Sequence, residues 1–283
     1  LEASRIITID CLDDPRLDVY RNLRTSNRGG EQATFIAEGR FVVERLLHSH
    51  HQVDSVLLGV QPEVCLPNDW LREQPLAAAT KVFRVDGQQL RSLVGFDFHR
   101  GVLACGRRPT LERAEPTNLP PAGSIVLALC DLADAENIGS VVRTATAMGV
   151  SGILLSDRCA DPFSRRALRV SMASVLQQRF WTCDSMETEL RRWSTELDCQ
   201  IVVTTLGEGA ISLPELTQQA ADGRHLKDRT TVVVVGNEGH GLPQAIERLA
   251  DLRLTIPMQP QADSLNVGVA TGIVLYALTQ AKW

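Results

Sequence analysis

Lysine is nearly missing from this chain of 283 residues: only Lys81, Lys227 and Lys282 occur. Almost all of its positive charge is therefore arginine, whose planar fork suits phosphate and base-edge contacts. An arginine-rich, GC-biased proteome would produce the same usage. The formal net charge is −5, which argues against a uniformly basic nucleic-acid binder. Any polyanion would have to meet a local grouping of arginines. Cys-x-x-Cys pairs are also absent, and the seven cysteines are scattered. That excludes a disulfide framework and a structural zinc site, so no metal is expected. No apolar run approaches the length of a membrane span, so no membrane partner is expected. The opening LEASRIITID has no basic region followed by an apolar stretch, and with the scattered cysteines this points to a reducing, cytoplasmic compartment. What is present, 44% hydrophobic and 22% charged residues, is the composition of a globular protein.

Periodicity divides the chain at a proline-rich stretch. Residues 1–107 alternate short strands and helices: strands at Ser4–Asp10, Ala33–Ala37, Val53–Leu58, Lys81–Val85 and Gly101–Gly106, helices at Pro15–Arg24, Gly39–His48 and Gln88–Leu93. Residues 108–122 hold Pro109, Pro116, Pro120 and Pro121. Proline removes a backbone donor and fixes φ, so this stretch reads as a linker. Residues 123–283 form a regular α/β alternation, with strands at Ser124–Leu129, Gly152–Leu155, Gln200–Thr205, Thr230–Val235 and Leu252–Ile256. Helices are expected at Asn137–Met148, Arg165–Ser174, Ser185–Leu197, Leu242–Ala250 and Asn266–Thr279. Such alternation implies a parallel sheet, with ligands bound beyond the carboxyl ends of its strands.

Three strand–loop–helix junctions in this second part carry candidate chemistry. In DLADAENIGSVVRTATAMGV (131–150), Asn137 suits a helix N-cap and Gly139 permits close approach. Arg143 lies one turn further along; alone, this is also what a capped surface helix looks like. In VVVVGNEGHGL (232–242), a buried strand runs into Gly236, Gly239 and Gly241, with Glu238 in the turn. Glycines there let backbone amides wrap a ligand. It is not a P-loop, since no Gly-Lys-Ser/Thr follows, nor a G-x-G-x-x-G fingerprint, which leaves a nucleotide-dependent oxidoreductase with only the α/β pattern behind it. In LTIPMQPQADSLNVGVATGIVLY (254–276), Pro257 ends a strand and Ser264-Leu265-Asn266 precedes an apolar helix. Ser264 is no nucleophile elbow, because no G-x-S-x-G surrounds it. A helix apolar nearly all round must be buried deeply or lie in a subunit interface.

In this order the three segments resemble the signature motifs of the SpoU (TrmH-like) branch of the SPOUT RNA 2′-O-ribose methyltransferases. The first matches at Asn137, Gly139, Arg143, Ala145 and Gly149. The second matches at Gly236, Glu238, Gly239, Gly241 and Leu242, and the third at Ile256, Pro257, Met258, Ser264, Leu265 and Asn266. The region before the linker is similar to the substrate-binding domain that often precedes this catalytic domain, at Arg21–Arg28, Glu38-Gly39-Arg40 and His99–Val102. One departure is Ser171-Met172-Ala173-Ser174, where many relatives read Ser-Ala-Gly.

The resemblance implies an α/β fold. A C-terminal SPOUT domain with a deep trefoil knot would follow a smaller ribosomal-protein-like α/β/α RNA-binding domain. It implies S-adenosylmethionine as methyl donor, held by Leu206, Gly207, Gly236, Ile256 and Leu265. It gives the reaction to Arg143, with Asn137, Glu238, Ser264 and Asn266 organising the loops and positioning the ribose. Partners would be RNA (rRNA favoured over tRNA) and a second copy of the chain in a homodimer. RNA contacts are expected at Arg24, Arg28, Arg40, Arg165 and Arg166. A knotted RNA-binding or assembly protein without catalysis is the alternative.

Overall fold

The structure is a computed structural model, which describes residues 6–23, 33–60, 70–71, 73–95, 101–115, 118–207, 209–221, 229–237, 239–259, 261–262 and 264–281. By its contacts the chain forms two compact units, Leu1–Pro109 with Asp161–Leu176, and Thr110–Ala160 with Gln177–Trp283.

The first unit contains β1 (Ile6–Thr8), β2 (Thr34–Glu38), α1 (Arg40–Leu47), β3 (Val53–Val60), β4 (Lys81–Asp86), α2 (Gly87–Val94) and β5 (Val102–Arg107). The sheet order is β1-β4-β3-β5-β2. β4 runs parallel to β1 and β3, whereas β5 is antiparallel to both β3 and β2. The segment expected as a helix from Pro15 is only a 3-10 turn, Pro15–Tyr20. Its Leu17 and Tyr20 are fully buried with Leu57, Leu90 and Leu103. The Tyr20 hydroxyl lies 2.7 Å from Ser55 Oγ, and burial pushes its ionisation upward.

The second unit starts before its sheet does. Glu112 bridges to Trp181, Thr182 N–H donates to the Glu112 carbonyl at 3.1 Å, and Ala114 is fully buried. The stretch expected as a linker is thus partly laid along a sheet edge. β6 (Ile125–Leu129), α3 (Ala135–Ala147) and β7 (Gly152–Ser156) follow, and both strands are buried at every position. The chain then contributes Asp161–Leu176 to the first unit. There α4 (Arg165–Val170) packs against β2. Arg108 makes a two-pronged ion pair with Asp161 at 2.5 and 2.7 Å. Phe163 sits 5.4 Å from Phe35 and 5.8 Å from His51, ring to ring. The half-buried His51 has its pKa lowered by burial and by His50. α4 stops earlier than Ser174 because Met172 and Ala173 adopt left-handed φ values of 50° and 64°, which cost a residue bearing a Cβ roughly 1–2 kcal/mol.

The remaining elements are β8 (Phe180–Cys183), α5 (Met186–Glu196), β9 (Gln200–Thr204), β10 (Ile211–Ser212), α6 (Leu213–Ala221), β11 (Thr231–Val235), α7 (Gln244–Glu247), β12 (Leu252–Thr255) and α8 (Val267–Ala281). The strands run in the order β10-β12-β9-β11-β6-β7-β8, and every pairing is parallel. The helix expected over Leu242–Ala250 shrinks to α7 because Pro243 can only precede it. β12, the last strand made, lies between β9 and β10, which precede it in the chain. α8 packs against α3 and α6. Among the described residues no helix is long and apolar enough to cross a membrane.

Candidate active site

The second unit has a cavity of about 540 Å³ around the carboxyl ends of β9, β11 and β12. This is within the usual range for small-molecule sites. Three loops and the inner face of α8 enclose it. The first loop leaves β9 through Thr204, Thr205, Leu206 and Gly207, all lining the cavity. Thr205 fixes its shape: its hydroxyl donates to Glu247 Oε1 at 2.8 Å and accepts from Gly207 N–H at 3.0 Å. Glu247, from α7, also faces the cavity.

The second loop turns back on itself directly after β11. A Cβ on Gly236 would fall 2.6 Å from the carbonyl carbon and oxygen of Gly241, so only glycine permits this approach. Asn237 holds the turn. Its backbone carbonyl accepts from Gly241 N–H at 2.8 Å, its Oδ1 accepts from Gly239 N–H at 2.8 Å, and its Nδ2 donates to the Asp131 carbonyl at 2.8 Å.

The third loop brings Ile256, Met258, Ser264 and Leu265 to the cavity. Asn266 closes it. Its Oδ1 accepts from Gly268 N–H at 3.0 Å, capping α8, and its Nδ2 donates to Asn137 Oδ1 at 3.1 Å. The amide pair ties the third segment to the first. A Cβ on Gly268 would lie 2.5 Å from Ser140 Oγ, so α3 and α8 cross with little space between them.

Leu206, Gly207, Gly236, Ile256, Leu265 and Ser264 therefore face one cavity, whereas Asn137, Arg143 and Asn266 are not among its lining residues. Asn137 does not cap α3. Asp134 does, its side chain accepting from Glu136 N–H at 2.8 Å, and Asn137 inside the first turn is left to meet Asn266. Arg143 is exposed on α3, and no hydrogen bond or ion pair holds it among the described residues. Glu238, Arg24 and Arg28 lie outside the described residues. Arg40, Arg165 and Arg166 belong to the first unit. Sequence reasoning missed Thr205, Asn237 and Glu247. Asn237 stood between two quoted motif residues, whereas nothing local marks Glu247. Among the described residues no group of His, Cys, Asp and Glu could hold a metal ion.

Replacing Thr205 by valine should loosen the first loop, because Gly207 N–H and Glu247 both lose their partner. We expect ligand affinity at this cavity to fall about 5- to 30-fold, the loss of one to two hydrogen bonds, with an unchanged melting temperature. Parental affinity would show that this loop does not shape the site.

Residues 124–276 match the SpoU rRNA Methylase family. A tRNA/rRNA methyltransferase of Mycobacterium tuberculosis, itself uncharacterised, is 32% identical, covering 95% of this chain and 90% of its own. The 23S rRNA (guanosine(2553)-2′-O)-methyltransferase RlmP of Bacillus subtilis is 26% identical, covering 95% and 98%. Among solved structures, an AdoMet-bound rRNA methyltransferase from Sinorhizobium meliloti superposes with a TM-score of 0.79 at 26% identity, covering 97% of each chain. An RNA 2′-O ribose methyltransferase superposes with a TM-score of 0.74 at 27% identity, covering 97% and 99%.

Proposed function

The chain belongs to the SpoU rRNA methylase family, and from that premise we propose that it methylates a ribose 2′-hydroxyl of structured RNA, ribosomal RNA before transfer RNA, using S-adenosylmethionine. The observation that carries this is the convergence of Leu206, Gly207, Gly236, Ile256, Ser264 and Leu265 on one cavity. Its walls fit the cofactor: backbone from two glycine-bearing turns, apolar faces from Leu242, Ile256 and Val274, and the carboxylate of Glu247. Bound there, the cofactor supplies an electrophilic methyl group. The chain's task is the other partner, a hydroxyl that is a poor nucleophile until its proton leaves. Arg143 stabilises the developing oxyanion. A guanidinium offers donors and no acceptor, so an RNA phosphate or solvent takes the proton. The Asn137–Asn266 pair fixes α3 against the third loop and so sets where Arg143 stands. The ribosomal preference rests on the relatives' names and on the separate first unit, which serves as the recognition module.

Two architectural features accompany this activity. The first is a deep trefoil knot in the second unit, a reading that rests on the family and with which the late insertion of β12 between β9 and β10 is compatible. The second is a homodimer formed through the outward face of α8. Val269, Ile273 and Tyr276 recur there at helical spacing and are 53%, 39% and 58% exposed. An apolar stripe of this kind marks an interaction surface. Ile273→Asp should weaken self-association roughly tenfold, read by analytical ultracentrifugation. A monomeric parent would remove the dimer.

The reading as a whole is tested by incubating the protein with radiolabelled S-adenosylmethionine and ribosomal or transfer RNA, then mapping 2′-O-methylation. Label on ribosomal RNA ribose is expected. Cofactor binding without transfer to either RNA would instead leave a non-catalytic RNA-binding protein.

A further inference from the structure

Two short helices of the first unit, α1 and α4, both pack against β2 and are tied to each other near both ends. At one end Arg165, the first residue of α4, pairs with buried Glu38, just before α1, at 3.5 Å. At the other end Arg45 of α1 donates to the carbonyl of Met172, just after α4. The chain advances seven residues between these ties on both sides, Glu38 to Arg45 and Arg165 to Met172, so α1 and α4 run in the same sense. Together they carry five arginines (Arg40, Arg45, Arg165, Arg166 and Arg169) against the single carboxylate Glu44. In a chain of net charge −5 this is a marked local grouping.

The arginines differ in what they do. Arg165 is partly buried and paired with buried Glu38, so it is committed to holding α4 in place; burial also lowers its pKa, which Glu38 opposes. Arg40 lies 4.0 Å from Glu44, an exposed pair worth little. Arg40, Arg45 and Arg166 are exposed and Arg169 partly so. Next to Arg40 on α1, and one turn before Arg45, stands Phe41. It is 69% exposed, the most exposed large apolar side chain among the described residues. α1 buries Val42, Val43, Leu46 and Leu47 instead. A single exposed apolar residue is ordinary. An aromatic ring set among arginines has the chemistry that binds bases and phosphates together, since every base offers a π-face and every linkage a charge.

We infer that this face grips an unpaired stretch of the substrate RNA: one base stacks on Phe41, while flanking phosphates meet Arg40, Arg166 and Arg169. The inference rests on the RNA methyltransferase reading and adds the form of RNA that is recognised. In a duplex the base faces are already stacked on each other, so only a loop, bulge or end can offer one to Phe41.

The test uses the full chain, a single-stranded RNA oligonucleotide and a perfect RNA duplex, with affinities measured against salt. Phe41→Ala should weaken single-strand binding about 5- to 100-fold and leave the salt slope unchanged. Phe41→Trp should bind like the parent, with its added fluorescence quenched by the oligonucleotide. Arg169→Ala should lower the slope by about one. S-adenosylmethionine affinity should not move in any variant. Parental affinity in Phe41→Ala, an equal loss on duplex, or a Phe41→Trp protein as weak as Phe41→Ala would each overturn the inference; the first would point to a protein partner for this face. If the parent methylates RNA while Phe41→Ala is silent, only this inference fails. If Phe41 governs RNA binding but no methyl is transferred, only the enzymatic reading fails.

Discussion

Gly236→Ala should lower S-adenosylmethionine affinity about 100-fold while the protein still unfolds cooperatively near the parental temperature. The added methyl would lie 2.6 Å from the carbonyl carbon and oxygen of Gly241 and 2.9 Å from Leu242 Cγ. Two of those atoms are backbone, so no side-chain rotation relieves the clash and the turn itself must open. Overpacking of this kind costs about 1–3 kcal/mol. The cost falls on the turn, because β11 ends at Val235 and its register with β6 and β9 is set before Gly236. Gly236, Asn237, Gly241 and Leu242 all line the cavity, so opening the turn moves several walls at once. A loss of about 2.7 kcal/mol in binding is the 100-fold expected. Gly239→Ala is the control: its methyl would sit 3.4 Å from Asn237 Oδ1, an ordinary contact, and affinity should hold. Calorimetric titration of both variants decides the matter. A folded Gly236→Ala protein binding within about threefold of the parent would take the cofactor out of this cavity.

How far such sites can be read from sequence depends on whether the physical cause is local. The all-parallel sheet was legible because β6, β7 and β11 are buried at every position, and burial on both faces writes itself as an unbroken apolar run. The glycine turn after β11 was legible for the same reason. The cap of α3 was misplaced: Asp134 and Asn137 are both good capping residues, and what distinguishes them is the bond from Asn137 to Asn266, 129 positions away. β8 was missed because FWTC (180–183) is too short to show a period. The membership of Asp161–Leu176 in the first unit was hidden more deeply. Its helix has the length and spacing of any α/β crossover, and only its tertiary partners, Arg108, Phe35 and Glu38, reveal where it packs. Removing residues 1–109 would therefore strip this segment of those partners and expose Phe163 and Leu168, both buried. Loss of RNA recognition in such a truncation could not then be separated from loss of this segment's fold.

Arg143→Ala should lower the rate of methyl transfer about 100- to 1000-fold, the usual cost of losing one donor to a developing oxyanion, and leave S-adenosylmethionine affinity at the parental value. The separation is expected because Arg143 does not line the cavity, yet its helix is held to it. Asn137, in the same helix, bonds Asn266 at 3.1 Å, and Ser140 lies against Gly268. Arg143→Lys keeps the charge but not the planar fork, so it should recover part of the rate without a new pH dependence below about pH 9, as fits a stabilising cation rather than a base. Arg143 is exposed, however, and a cation in bulk water stabilises a neighbouring charge only weakly. For it to act, something must cover it, and the two candidates are the RNA and a second subunit docked on α8. If the subunit does, Ile273→Asp should lower transfer together with self-association, and raising the protein concentration should restore both. If the RNA alone does, the monomeric variant should keep its rate. Activity within about threefold of the parent in Arg143→Ala would end the role assigned to this arginine, and a parallel fall in cofactor affinity would move it into the cofactor site.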